Sequence, residues 1–317
     1  MKKGLVVLAG CMVLMGFVSI TPAQQSVKLV LATGGTAGTY YPFGGAMAKI
    51  WNSKIPGMNV TAQATGASAE NCRLVNKKEA ELALVQSDTI DFAYNAKEAF
   101  KEKLPNLRAI AVLYPEIIQL VVRGETSINS FGDLKGQKIG VGAPGSGTEA
   151  NFRQLCDIYG LKKEDVKAQY LSFVESAEQF KDKHIDAFIV VAGVPNSAIM
   201  DIANQRSIRL LSIPDDKTGQ LMQKYPFLGP AKVPANMYKG VTAETKTVAV
   251  MAVLIVNSEI KGDIVYNITK TLFENQAELA IGHAKGKELS LQTAIKGVSI
   301  PFHPGAVRYY KEKGVIK

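Results

Sequence analysis

The chain has few of the residues that usually carry chemistry. Its 317 residues include three cysteines, three histidines and one tryptophan, Trp51. His184, His283 and His303 are far apart, and none has a second His or Cys at ligand spacing. No cluster of acids suggests a metal, and no metal site is expected. Cys72 and Cys156 lie 84 positions apart in segments with helical patterning, so buried free thiols are expected rather than a metal pair. There is no Lys/Arg block. The formal charge of +9 is scattered along the chain, and a nucleic-acid binder would concentrate it. The excess reads as a solvated basic surface that favours anionic ligands weakly.

Long apolar runs are equally scarce. The one stretch apolar enough to enter a bilayer, Leu5 to Ile20, follows Lys2 and Lys3 and precedes Thr21-Pro22-Ala23. That is the layout of a secretory signal peptide, expected to span residues 1–23 with cleavage near Ala23. Cleavage removes two of the excess positive charges. Two rival readings of this segment are an uncleaved anchor and a lipobox, Leu8-Ala9-Gly10-Cys11, with Cys11 lipidated. The expected location is the periplasm.

The chain as a whole is 47% hydrophobic and 21% charged, a globular balance. Val27 to Ala32 reads as a strand. Pro42 starts a helix whose Phe43, Ala46, Met47, Ile50 and Trp51 share one face. Val60, Ala62 and Ala64 alternate with polar residues as a strand does. Ser68 caps a helix, and Leu82 to Val85 is a strand with Ser87 or Asp88 capping the helix after it. Leu107 to Leu113 and Ile117 to Val122 read as two separate strands. The pattern then restarts with strand Lys138–Val141, a glycine-rich loop, and a helix from Thr148 to Tyr159 closed by Gly160. Ser172-Phe173-Val174-Glu175 is a capping box. Asp186 to Ala192, Ile208 to Ile213 and Val248 to Val256 are further strands, and Pro226 to Pro234 has no periodicity.

Strands separated by helix-length segments imply βα units, and two such runs imply two α/β lobes. In open α/β sheets ligands gather at the carboxyl ends of strands. The loops there are Thr33–Tyr41, Thr65–Ser68, Gln86–Asp88, Ala143–Thr148 and Val191–Gly193, all small and polar. From them come the candidate binding residues Thr33, Gly34, Gly35, Thr36, Tyr40, Tyr41, Gly66, Ser68, Gln86, Ser87, Asp88, Pro144, Gly145, Ser146, Gly147, Thr148, Val191, Ala192 and Gly193. The adjacent Tyr40 and Tyr41 are candidates to divide between core and pocket. Gly145 to Thr148 offers free amides at a helix start, suited to a carboxylate. No arginine falls in the five loops, though Arg73, Arg123 and Arg153 are expected nearby and able to reach in. Asp88 and Glu149 are acids beside the site, open to an ammonium group or to a helix dipole.

Catalytic motifs fail. Gly140-x-Gly142-x-x-Gly145 spells a dinucleotide fingerprint, but Pro144 removes an amide and the acid expected after the next strand is absent. No cofactor is expected. Ser146 lacks the spacing of a nucleophile elbow, because Pro144 occupies the first glycine position. No nucleophile pairs with a base, so no catalytic residue is assigned and the chain is read as a non-enzyme.

The sequence resembles the TAXI family, the solute-binding subunits of tripartite ATP-independent periplasmic (TRAP) transporters. The matching segments include ATGGTAGTYYPFGGAMA (32–48), QATGASAEN (63–71), LVQSD (84–88), VGAPGSGTE (141–149), YLSF (170–173), DAFIVVAG (186–193) and HPGA (303–306). Asn71 joins the candidate binding residues through the second of these. Ala37 and Ala67 stand where the family commonly has glycine. The resemblance implies a two-lobed periplasmic-binding-protein type II fold, with two mixed, mostly parallel sheets, helices on both faces and a ligand cleft between lobes. The expected limits are 27–118 plus 246–317 for lobe I and 119–245 for lobe II. It implies a monomer that captures a small organic anion, a glutamate-like amino acid or a dicarboxylate, and delivers it to a TRAP permease for ion-coupled uptake. The alternatives are a surface-exposed immunogenic lipoprotein or adhesion protein, and an enzyme on the same scaffold.

Overall fold

Seventeen consecutive residues, Leu107–Arg123, form a single strand, β4, where the sequence suggested two. Pro115, which cannot donate to a ladder, lies between the two segments. The strand absorbs it with two bulges against the antiparallel β10 (Thr245–Asn257). Met251 is opposite Pro115 but Val253 is opposite Val112, and Leu254 faces Ala111 while Ile255 faces Ala109. Each bulge adds a residue to β4 and increases its twist. Twisted in this way, β4 and β10 run from one half of the molecule into the other.

The computed structural model describes residues 26–317; the proposed signal peptide and Cys11 lie outside them. In the first half, β1 (Val27–Ala32) pairs in parallel with β2 (Met58–Gln63) and β3 (Leu82–Gln86), and β3 pairs with β10. In the second half, β4 pairs with β7 (Ala187–Ala192) and β8 (Ile208–Leu211). There β5 (Lys138–Gly140) joins β7 to β6 (Lys167–Gln169) in parallel. The aperiodic Pro226–Pro234 passage contains an edge strand, β9 (Gly229–Val233), on β10, where Pro230 is tolerated. The two expected sheets are thus joined through β4 and β10 into one ten-stranded ladder, parallel in its outer strands and antiparallel wherever β4 or β10 takes part.

Helices cover both faces, as fully buried strands such as β3 and β7 require. The helix α1 (Tyr40–Lys54) starts two residues before Pro42, which sits in its first turn where no amide bond is needed. Its Phe43, Met47, Ile50 and Trp51 are buried, and the Trp51 indole donates to the Ile268 carbonyl at 3.0 Å. That bond ties α1 to α8 (Gly262–Glu274), which packs with α10 (Pro304–Glu312) over the same face. The opposite face carries α2 (Ser68–Lys77) and α3 (Ser87–Asn95). The second half is covered by α4 (Gly147–Tyr159) and α7 (Asp215–Lys224) on one side, and α5 (Phe173–Lys181) and α6 (Ser197–Gln205) on the other. The remaining helix, α9 (Gln276–Gly282), leads into a 3-10 turn at Ala284–Glu288. Gly160 closes α4 at φ 67°, and Ser172 forms the expected capping box on α5. Cys72 and Cys156 are buried free thiols, with burial pushing the Cys156 thiol up to about 12.

Candidate functional site

Four helices begin at one cavity. Thr39 and Tyr40 start α1, Ala67 and Ser68 start α2, Ser146 to Thr148 start α4, and Ser172 with Phe173 starts α5. The chain leaves β1, β2, β5 and β6 at their carboxyl ends, so the βα geometry aims all four positive helix ends at the same space. The Ser146 hydroxyl is used as a cap, accepting from the Glu149 amide at 3.1 Å. The first two amides of α4, those of Gly147 and Thr148, have no intrahelical carbonyl to bond. Such amides suit an anion. The cavity measures about 80 Å³, room for more than one water molecule.

The candidate residues divide. Gly34, Gly35, Tyr40, Gly66, Ser68, Gln86, Ser146, Gly147, Thr148, Val191 and Ala192 line the cavity. The others do not: some are bonded elsewhere and some face solvent. Thr33 is fully buried, with its hydroxyl donating to the Gln63 carbonyl at 2.6 Å. Thr36 and Pro144 are exposed to solvent. Tyr41 is exposed while Tyr40 is buried, so the tyrosine pair does split, with Tyr40 in the cavity wall. Asn71 donates to the carbonyls of Thr33 and Leu84 at 2.6 and 2.7 Å, pinning β1 to β3. The Ser87 hydroxyl accepts from the Met251 amide. Gly145, at φ 72°, offers its carbonyl to the Ala69 amide, and the Gly193 amide donates to the Thr39 hydroxyl at 3.0 Å.

Asp88 is the largest departure. Its carboxylate is buried outside the cavity and accepts from Asn151 at 2.8 Å and Gln154 at 3.1 Å, both on α4. It is a strut between the two halves of the molecule. Burial raises its carboxyl above the usual range, and the amide donors act in the opposite direction. None of the three nearby arginines reaches the cavity. Arg73 bonds the Ala99 carbonyl, Arg123 bonds the carbonyls of Phe180 and Ile185, and Arg153 pairs with Glu149 on the surface.

Sequence reasoning did not single out Glu116, which the bulged course of β4 carries into the cavity wall. It is buried, and the Tyr40 hydroxyl donates to it at 2.6 Å. Burial pushes its carboxyl up to about 8, and the bonds from Tyr40 and Gln86 restrain the rise. A signal was present: Glu116 is the one charged residue between Ala109 and Val122, in a run otherwise apolar enough for a sheet core. Ser172 and Phe173 also line the cavity, having been read only as a helix start. Gly38, Thr39, Thr65, Ala67 and Ala143 line it from within the expected loops.

The two halves meet on both sides of the cavity. On one side, the Ala69 amide donates to the Gly145 carbonyl at 3.1 Å beside the Asp88 strut. On the other, Asn196 and Ser197 each donate to the Ala37 carbonyl at 3.0 Å. The site lies at the joint that β4 and β10 span. Among the described residues no group of three or more His, Cys, Asp or Glu is placed to hold a metal, and no helix is long and apolar enough to cross a membrane.

The family model described as the NMT1-like family matches residues 31–314, and the chain belongs to that family. Solved structures share the fold at low identity. The periplasmic aliphatic sulphonate binding protein SsuA from Escherichia coli is 16% identical, with a TM-score of 0.52, over 92% of this chain and 84% of that one. The alkanesulfonate-binding protein SsuA from Xanthomonas axonopodis pv. citri, bound to MOPS, is 15% identical at TM-score 0.53, over 91% and 85%. The ligand-binding component of an ABC-type import system from Staphylococcus aureus, with zinc bound, is 13% identical at TM-score 0.51, over 92% and 93%. The fold is therefore that of the periplasmic solute-binding proteins.

Proposed function

We propose that this member of the NMT1-like family is a periplasmic receptor that captures a small organic anion between two lobes and hands it to a membrane permease. The observation that carries the reading is the cavity itself. It lies between the two halves, at the joint of two shared strands, with four helix N-termini around it and no Lys, Arg or His in its lining. A cavity of this kind holds a carboxylate by main-chain amides and hydroxyls. The fold neighbours, receptors rather than enzymes by their names, support the same reading. The histidines serve elsewhere: His283 and His303 accept from the Lys285 and Gly305 amides as helix caps.

The lobes of this proposal are residues 27–118 with 246–317, and 119–245. The pairing supports limits close to these, since β4 pairs with β7 from Ile117 onward, and β10 pairs with β3 from Ala252 onward. The cargo is a glutamate-like amino acid or a dicarboxylate, and the partner a TRAP permease driven by an ion gradient. Both rest on the run of motifs shared with the TAXI family. Native mass spectrometry of the purified protein, followed by thermal shift against amino acids, keto acids and dicarboxylates, tests the receptor. A retained or added small acid that raises the melting temperature is expected; stability unmoved by every compound argues against it. Uptake in vesicles carrying the permease, dependent on an ion gradient and indifferent to ATP, tests the partner.

A further inference from the structure

The cavity wall is chemically lopsided. The helix starts present donors. Opposite in character are two acceptors, the Glu116 carboxylate and the Gln86 side-chain oxygen. Gln86 is 2% exposed, and its Oε1 is buried without a hydrogen-bond partner. An orphaned buried acceptor is costly unless something donates to it. Glu116 accepts from neutral donors only, Tyr40 and the Gln86 amide, and sits in the same wall. An anion held only by amides would need neither group, and a second carboxylate placed here would meet a carboxylate.

Resting on the receptor reading, we propose that Glu116 is the specificity-determining residue of the cleft: with Gln86 it selects a cargo end that donates hydrogen bonds as a cation, and capture of that end expels a proton from Glu116. The charge balance is simple. In the empty cleft the carboxyl carries a proton at neutral pH, because burial pushes it up to about 8. A cargo ammonium arrives with its own charge and stays protonated. The Glu116 proton leaves to solvent and an ion pair remains. The groups facing Glu116 permit this. Tyr40 from α1 donates to it, and Tyr114 lies on its own strand. Asp88 from α3 opposes its ionisation. Lys285 of the 3-10 turn favours ionisation, but Glu288 holds it at 2.6 Å. No fixed cation therefore satisfies Glu116 in advance.

The test uses the full mature protein and matched probes: glutamate with 2-oxoglutarate, aspartate with oxaloacetate, alanine with pyruvate, and leucine with 4-methyl-2-oxopentanoate. Calorimetry at pH 7 in two buffers of different ionisation enthalpy reads both affinity and proton number. The amino acid of the best pair should bind about tenfold to a hundredfold more tightly than its 2-oxo analogue, the weight of one charge-assisted bond. It should release up to about one proton, and its affinity should rise from pH 6 to pH 8 as the carboxyl loses its proton unaided. Glu116→Gln should abolish the proton release and erase the preference. If Glu116→Gln does not fold, the wild-type pH profile and proton number decide alone. A wild type that binds an amino acid with no proton exchange, or prefers the 2-oxo partner, overturns this inference and leaves the receptor standing. A wild type that binds no probe and retains no solute overturns both.

Discussion

The side-chain oxygen of Gln86, at the end of β3, lies 1.9 Å from the point where a Cβ on Gly147 would stand, at the start of α4. One residue belongs to each half of the molecule, so this contact exists only while the halves are together. Gly147 is thus glycine for closeness across the joint and not for backbone conformation. On the proposed receptor reading, closure on a ligand that touches both halves would be a hinge motion whose closed state gains the contacts.

Gly147→Ala should leave the open protein folded, since alanine is the better helix former. It should block closure. Cargo affinity is expected to fall by about tenfold or more, and small-angle scattering should show no decrease in radius of gyration on saturation. Adding Gln86→Ala should restore the decrease. Full closure of the single variant would show that the contact does not limit the joint.

The Asp88 strut predicts an effect at a distance. Asn151→Ala removes the 2.8 Å bond between α3 and α4 without touching the cavity lining. It should weaken every cargo by a common factor, about tenfold for one bond to a charged group. The ranking among cargoes should stay the same. A change in ranking, read by competition calorimetry, would place Asn151 in recognition instead.

Glu116 should also mark the empty protein's stability. Its carboxyl titrates near 4.5 when unfolded and is raised to about 8 when folded. The raised value means its contribution is fully present below about pH 4.5 and is lost as pH climbs towards 8. The unfolding free energy of the empty wild type should therefore fall between pH 5 and pH 8 relative to Glu116→Gln, by on the order of a few kcal/mol, as read by denaturant titration. Asp88 shifts in the same direction and is present in both proteins. Parallel curves for the two proteins would show that Glu116 is not desolvated.

Ala67 holds φ 72° and ψ −144°, a region that glycine enters freely and alanine does not. It is one of the two positions where the related motif carries glycine. Ala67→Gly should relieve strain by about 1 kcal/mol, net of the entropy that glycine adds to the unfolded chain. A melting temperature a few degrees higher is expected by calorimetry. A lower one would mean that the methyl's packing against the core outweighs the strain.

Much of this protein is written locally. The buried face of α1 follows from apolar residues at helical spacing, the caps at Ser146 and Ser172 follow from side chains that satisfy their own helix ends, and Gly160 closes α4 through a left-handed backbone open to glycine. The alternation of strands and helices places the loops at the carboxyl ends of strands, so the neighbourhood of the cavity was legible too. What was not legible is where a side chain goes once its loop is placed. Asp88 and Gln86 are two residues apart, yet one braces α4 and the other faces the cavity. Thr33, Asn71 and Ser87 resemble ligand residues in sequence but spend their polar groups on backbone partners brought near by strand pairing. Glu116 shows the reason most clearly. It lies between the two segments read as separate strands, and only the bulged pairing of β4 with β10 makes the strand continuous through it and places the carboxylate in the wall. Periodicity and capping are fixed by covalent geometry within a few residues, whereas register, bulges and the meeting of two halves depend on partners from 30 to 164 positions away. The sequence alone therefore determined the elements and the loops around the site, and the tertiary structure decided which of their side chains form it.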